Sequence, residues 1–216
     1  MVNTLGIKIP FKYNIHGIDV SHHNGKIDWN KVQNMTLKRD DINLAFAFIK
    51  ATEGVTLSDK KFKQNWEALK ETNITKGAYH FYIAWRDPVG QANNFIKNVK
   101  LEEGDLAPVL DIEQNSLKSD KKIIEEIGTW LKIVENHYDK KPIIYTNPNF
   151  YKKFIKGNYD DYPLWIADYS NQNLSNYSSN LYFWQHNQNG YCNGINGTVD
   201  YNVFLGNKTD FEDLCL

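Results

Sequence analysis

Cysteine is scarce in this sequence: 2 residues in 216, Cys192 and Cys215. Two thiols make neither a disulfide framework nor a cysteine metal site, which leaves one bridge or two free thiols. An excess of either charge is missing too. Lys and Arg number 25 against 26 Asp and Glu, a formal net charge of −1, and nothing in that balance calls for nucleic acid as a partner. Long hydrophobic runs are absent. The longest, Leu44 to Ile49, is far too short to span a bilayer. No signal-peptide pattern stands at the N-terminus, so the chain as written reads as soluble, with any export signal outside it. No glycine-rich phosphate loop follows the first apolar stretch, where Asp19-Val20-Ser21-His22-His23 stands instead. There is no Gly-x-Ser-x-Gly elbow, and Cys192 has no evident base beside it, so nucleophilic serine or cysteine chemistry finds no support. Internal repeats, low-complexity tracts and domain linkers are lacking as well.

Aromatics are abundant, with 13 Tyr, 11 Phe and 6 Trp making 14 % of the chain. Such residues fill cores and also stack on flat apolar faces such as sugar rings. The order of patterns is regular. Apolar stretches at 16–21, 44–50, 76–82, 106–113, 142–146, 163–167, 181–185 and 198–201 read as eight strands. Helical stripes lie between the earlier ones. Asp28 caps the first helix, and Ser58 or Asp59 caps one carrying Phe62, Trp66 and Leu69. Asp87-Pro88 opens the next, Ser119 caps the longest, and Asn147-Pro148 starts a short one. Trp66 and Trp130 sit on helix stripes and are expected in the core. Little room for helices remains among the last three strands. Alternating strands and helices imply an α/β fold with a parallel sheet. Eight strands in one chain of this length imply a single TIM-like (β/α) barrel whose helices are reduced in the C-terminal part. Residues 1–15 have no clear period and read as a leader; 16–216 form the domain.

The chain centres on Pro108-Val109-Leu110-Asp111-Ile112-Glu113. Positions i and i+2 of a strand share a face, so Asp111 and Glu113 point the same way. Two like charges at the end of a buried strand raise the proton affinity of at least one. One protonated and one ionised carboxyl is what glycosidic cleavage requires. On these three residues alone, a strand fraying into a solvated acidic loop reads equally well. The other strand ends weigh against that: Asp19, Lys50 with Glu53, His80 and Tyr82, Tyr145, Asp168 and Tyr169, Gln185 and His186, and Asp200. Parallel barrels build active sites where such ends converge. Asp19, Asp111, Glu113 and Asp200 would form an acidic floor ringed by Tyr79, Tyr82, Tyr145, Trp165, Tyr169 and Trp184. His80 and His186 read as hydrogen-bonded wall residues, Lys50 and Glu53 as a rim ion pair, and His22 and His23 as loop residues without a third metal ligand. A divalent cation such as Mg²⁺ on the carboxylates ranks second, since phosphate-binding cations are not gathered with them.

Seven stretches resemble glycoside hydrolase family 25, the Chalaropsis-type lysozymes. They are His16–Ser21, Phe48–Gly54, Gly77–Tyr82, Pro108–Glu113, Pro142–Thr146, Pro163–Ala167 and Gly197–Asn202. They occur in the family's order and span about His16 to Gly206. The resemblance implies a flattened, irregular barrel and hydrolysis of the β-1,4 bond between N-acetylmuramic acid and N-acetylglucosamine in peptidoglycan. It maps the catalytic acid onto Glu113, the second carboxylate onto Asp111 and two supporting acids onto Asp19 and Asp200. It maps groove aromatics onto Tyr82, Tyr145 and Trp165, with Tyr79 and Tyr169 beside them. No cofactor or metal is implied.

Two acids on one strand approach from one side, which suits attack by the substrate's own acetamido group and a retaining outcome. In that scheme Glu113 is protonated at rest and Asp111 ionised. A chitinase-like β-N-acetylglucosaminidase would use the same Asp-x-Glu chemistry, and a non-catalytic sugar-binding module would need only the aromatic groove. The expected setting is the cell envelope, periplasm or medium, with peptidoglycan strands as partner, no membrane span and a monomeric enzyme.

Overall fold

The computed structural model describes residues 2–4, 6–37 and 43–216. Strands β1 (Val2–Thr4) and β2 (Ile7–Ile9) pair as an antiparallel hairpin within the segment read as a leader, of which residues 1 and 5 lie outside the described residues. Ile7 and Ile9 are buried, and Ile7 reaches toward Gly190, so the hairpin packs on the body of the fold.

The remaining elements follow in order: β3 (Ile15–Val20), α1 (Trp29–Gln33), β4 (Leu44–Glu53), β5 (Leu57–Ser58), α2 (Phe62–Leu69), β6 (Thr75–Phe81), α3 (Pro88–Asn98), β7 (Val109–Asp111), α4 (Asp120–Tyr138), β8 (Ile143–Thr146), α5 (Pro148–Phe150) running into a π-helical turn, β9 (Leu164–Ala167), β10 (Leu181–Tyr191), β11 (Thr198–Phe204) and α6 (Lys208–Glu212). Eight strands close into a ring, β3-β4-β6-β7-β8-β9-β10-β11 and back to β3, with helices outside. No helix intervenes between β9 and β11. The expected barrel, stripped of helices toward its C-terminal part, is what forms.

Its parallel character is not complete. β11 runs antiparallel to both neighbours, β10 and β3. A tight connection allows this, because an antiparallel return needs only a hairpin, whereas a parallel return needs a crossover of a dozen or more residues. β7 is also shorter than expected, three residues, because Pro108 has no N–H to give to the ladder.

Strand alternation sorts the apolar residues into two cores. Inside the ring lie Phe46, Phe48, Val109, Ile143, Trp165 and Phe183, with Phe211 and Leu214 completing the same cluster. Between ring and helices lie Ile49, Leu110, Ile144, Ile166 and the stripe residues Phe62, Trp66 and Trp130. Gly17 faces Phe46 across β3–β4, and Gly77 faces Phe48 across β4–β6. A Cβ at Gly17 would stand 2.4 Å from the Phe46 ring, so the absent side chain is what lets that ring lie flat.

Helix starts follow the sequence cues with one exception. Asp28, Asp87, Ser119 and Asn147 each accept a backbone N–H at a helix N-terminus. α2 begins instead at Lys61 with no side-chain cap. Asp59 is divided between two partners: its Oδ1 accepts the Lys61 N–H at 2.8 Å just ahead of the helix, while its Oδ2 accepts from the backbone N–H of His22 and lies 2.7 Å from His22 Nδ1. Both cysteines are free thiols.

Candidate active site

The parallel strands end on one face, and β11, running the other way, begins there. Asp200 therefore reaches the site from near the start of its strand, as the direct cross-strand partner of Asp19. Had β11 been parallel, the same residue would lie at the opposite end. A pocket of about 410 Å³ opens on this face. All four predicted acids, Asp19, Asp111, Glu113 and Asp200, line it, and Tyr79, Tyr145 and Trp165 form aromatic walls. Lys50 and Glu53 join its edge as an ion pair of 2.6 Å, with Lys50 Nζ over the Phe81 ring.

Two of the expected ring members lie elsewhere. Tyr82 and Trp184 are 2 % exposed and belong to the outer core, not the pocket. Alternation explains both. Tyr79 and Phe81 face inward on β6, so His80 and Tyr82 face outward, and Phe183 and Gln185 on β10 turn Trp184 outward in the same way. Trp184 Nε1 donates to the Asp168 carbonyl at 2.7 Å. Tyr169 stands at the rim, half exposed, its hydroxyl donating to Gln185 Oε1. His80 and His186 are buried wall residues. His80 meets Thr52 Oγ1 at 2.7 Å and stacks on Trp130, and burial pushes both imidazoles down to about 3. His23 lines the pocket, while His22 pairs with Asp59. Among the described residues no group of three or more His, Cys, Asp or Glu side chains is arranged to hold a metal ion.

The four acids have unlike surroundings. Asp19 Oδ2 accepts from Gln185 Nε2 and from Asn202 Nδ2, each at 2.7 Å, and Asp19 is also hydrogen-bonded to Asp200. Both amides are locked from behind. Gln185 Oε1 accepts the hydroxyls of Tyr145 at 3.0 Å and Tyr169 at 2.5 Å, and Asn202 Oδ1 accepts Trp165 Nε1 at 2.8 Å. Their N–H groups can therefore face only Asp19. Burial pushes Asp19 upward, and these three hydrogen bonds oppose it. Asp200 is raised to about 9, first by burial and then by the charge of Asp19. Asp200 thus holds a proton at neutral pH and supplies it to its partner as a hydrogen bond.

Asp111 is less well supplied than Asp19. It is buried, its Oδ1 has no hydrogen-bond partner, and burial followed by the Glu113 charge pushes it well above the ordinary range, with Lys50 opposing. A carboxylate oxygen without a donor is poorly stabilised out of water, which favours the protonated form of Asp111. Glu113 is raised by burial, with a hydrogen bond to the Asn147 side chain opposing. Asn147 also caps α5, its Oδ1 accepting Phe150 N–H at 3.0 Å. Sequence reasoning takes Gln185 only as a polar strand end and passes over Asn202 and Asn147 as site residues. Inward alternation from Phe183 and Asp200 is the signal that finds Gln185 and Asn202.

Buried acids of unlike proton affinity, set in an aromatic-walled pocket at the mouth of a barrel, are the equipment of an enzyme that hydrolyses glycosidic bonds. The chain belongs to the glycosyl hydrolases family 25, whose sequence pattern matches residues 18–195, and it is a glycoside hydrolase of lysozyme type. It is 40 % identical over 211 residues to YegX, an uncharacterised protein of Escherichia coli K12, covering 98 % of this chain and 77 % of that one. Its fold is similar to a family 25 glycosyl hydrolase from Bacillus anthracis, with a TM-score of 0.85, 31 % identity and 97 % of both chains covered. The bacterial lysozyme from Streptomyces coelicolor superposes with a TM-score of 0.80 at 27 % identity, over 94 % of this chain and 97 % of that one.

Proposed function

We propose that this chain is a peptidoglycan hydrolase, a 1,4-β-N-acetylmuramidase, with residues 16–216 as its catalytic unit. The observation that carries the reading is four acids with unlike surroundings in one pocket: Asp19 hydrogen-bonded to Gln185, Asn202 and Asp200, Asp200 raised by burial and by the Asp19 charge, Asp111 with its Oδ1 unpartnered, and Glu113 raised by burial. Glu113 donates its proton to the glycosidic oxygen as the bond to the leaving N-acetylglucosamine breaks, and later takes one from the attacking water. The muramic acetamido oxygen attacks the anomeric carbon from the opposite face and forms a cyclic intermediate, which water opens with net retention.

Asp111 holds the acetamido N–H. The substrate thereby brings a donor to Asp111, and with it bound the proton shared by the pair settles on Glu113 and the charge on Asp111. Asp19 and Asp200 fix Asp111 electrostatically. Tyr79 and Tyr145 face the sugar, with Trp165 packed behind Tyr145 in the pocket wall and Tyr169 at the rim. The enzyme acts where the wall is, outside the cytoplasm, as a monomer. No helix among the described residues is long and apolar enough to cross a membrane.

Digestion of purified sacculi and of chitin oligomers, with muropeptides identified by mass spectrometry, tests the reading. Wild-type enzyme should release muropeptides with reducing muramic ends and leave chitin largely intact. Glu113→Gln should lower the rate by about 10²–10⁴-fold, the usual worth of a general acid. The first product should carry the β-anomer by NMR. Clean inversion would overturn the acetamido route, and undiminished activity of Glu113→Gln would overturn the acid assignment.

A further inference from the structure

The large hydrophobic side chains that remain exposed are not scattered. Among the described residues, Val55 and Leu57 follow β4, Trp85 and Val89 follow β6, Leu117 follows β7, Tyr169 follows β9, and Tyr191 ends β10. Every one of these strands runs toward the catalytic face. Among the described residues, the helices beyond the first turn of α3 and the opposite end of the barrel expose none. Single exposed apolar residues are ordinary, but their confinement to one end marks a surface that meets something.

The strongest concentration is Trp85 with Leu117, which together with Asn115, Ser116 and Lys118 line an open groove of about 700 Å³. Leu117 is fully exposed and Trp85 is 56 % exposed, whereas the other five tryptophans are at most 6 % exposed. A protein that buries five indoles and leaves one on the catalytic face has a use for it there. Trp85 comes four residues after Phe81 and Leu117 four after Glu113, both of which line the pocket. At full extension four residues reach about 14 Å, so the groove borders the site. Its chemistry is that of a neutral, two-faced ligand: a flat indole and an isobutyl group, flanked by an amide and a hydroxyl. Its one cation, Lys118, is already paired with Glu126. An N-acetylhexosamine ring has an apolar face and an edge of hydroxyl and amide groups, which fits that description.

We infer that Trp85 and Leu117 form a carbohydrate subsite outside the catalytic pocket, receiving a sugar ring of the glycan strand further along from the bond being cut. The inference rests on the glycan-hydrolase reading above. It makes Trp85 a determinant of chain-length preference, because only a strand long enough to leave the pocket on the β6–β7 side can reach it.

Trp85 as the exposed indole gives a readout that needs no catalysis. Iodide quenching of tryptophan fluorescence should fall when Glu113→Gln protein is saturated with the N-acetylglucosamine hexamer or with peptide-free glycan strands. In Glu113→Gln/Trp85→Phe that protection should be absent. In the active enzyme, Trp85→Ala should raise KM on long strands about tenfold, one aromatic contact's worth, with kcat unchanged and with the shortest cleavable oligomer unaffected. Leu117→Ser should act in the same direction. Quenching that is indifferent to saturating hexamer and strands, or equal losses on short and long substrates, would overturn the subsite. Were wild-type enzyme inactive on sacculi while the hexamer still protected Trp85, the muramidase reading would fall and the subsite would stand.

Discussion

Asp19 and Asp200 face each other across an antiparallel pair, the closest approach that a sheet gives two side chains. One of them must be neutral, and the surroundings choose Asp200: Asp19 has two amide donors, and Asp200 is held up at about 9. An acid whose folded pKa lies above its unfolded value near 3.8 adds stability that is complete below that value and is lost as pH climbs through about 9. Asp200→Asn keeps the shape and a donor for Asp19 but has nothing to ionise. Thermal melts should therefore show the variant and wild type converging near pH 4, with the variant gaining progressively toward pH 9. Parallel curves would show that Asp200 does not hold its proton in the fold. At this scale the acids were legible because a charge at the end of an apolar run is conspicuous. Gln185, Asn202 and Asn147 were not, since an amide on a strand or a cap has many ordinary uses until its partners are known.

Elements were legible wherever one local rule governed them. Alternation and stripes located the eight strands and the four helices whose caps hold. Asp59 was legible only in part: its Oδ1 takes the Lys61 N–H just ahead of α2, but its Oδ2 serves a long-range partner, His22, 37 positions earlier. The same kind of long-range demand explains Gly17 and Gly77, which look unremarkable in the sequence. Each stands opposite a phenylalanine that fills the barrel interior. A Cβ at Gly77 would come within 2.5 Å of the Phe48 ring, which is itself stacked on Trp165, a wall of the pocket. Gly77→Ala should cost about 1–3 kcal/mol of stability, the usual penalty for overfilling a packed core. Urea denaturation measures it, and activity should fall with it as Trp165 is displaced. A loss below a few tenths of a kcal/mol would mean that the interior has room to spare.

For the whole molecule, two populations of buried titrating groups pull stability in opposite directions. His16, His80 and His186 are held below the ordinary histidine value by burial. Their contribution is full above about pH 6.5 and is lost as pH falls toward the folded values. Asp19, Asp111, Glu113 and Asp200 are held above theirs, so their contribution is full at low pH and is lost as pH rises. Melting temperature at fixed ionic strength should accordingly peak between about pH 4 and 6.5 and decline on both sides. A rise that continued through pH 9 would contradict the burial of the acids.

The alternation of strands and helices, the barrel, its helix-poor end and the four acids that line the pocket could be read from the chain alone, because each of these is written in a local period or a short motif. Tertiary structure decided the rest. It set the direction of β11, which brings Asp200 to Asp19 and not to the far end of the barrel. It decided which aromatics face the pocket, turning Tyr82 and Trp184 outward, and which carboxyl receives hydrogen bonds. Those outcomes depend on what lies across the ring from each residue. A linear pattern carries the face a side chain takes within its own strand, but not the neighbours that closing the barrel sets beside it.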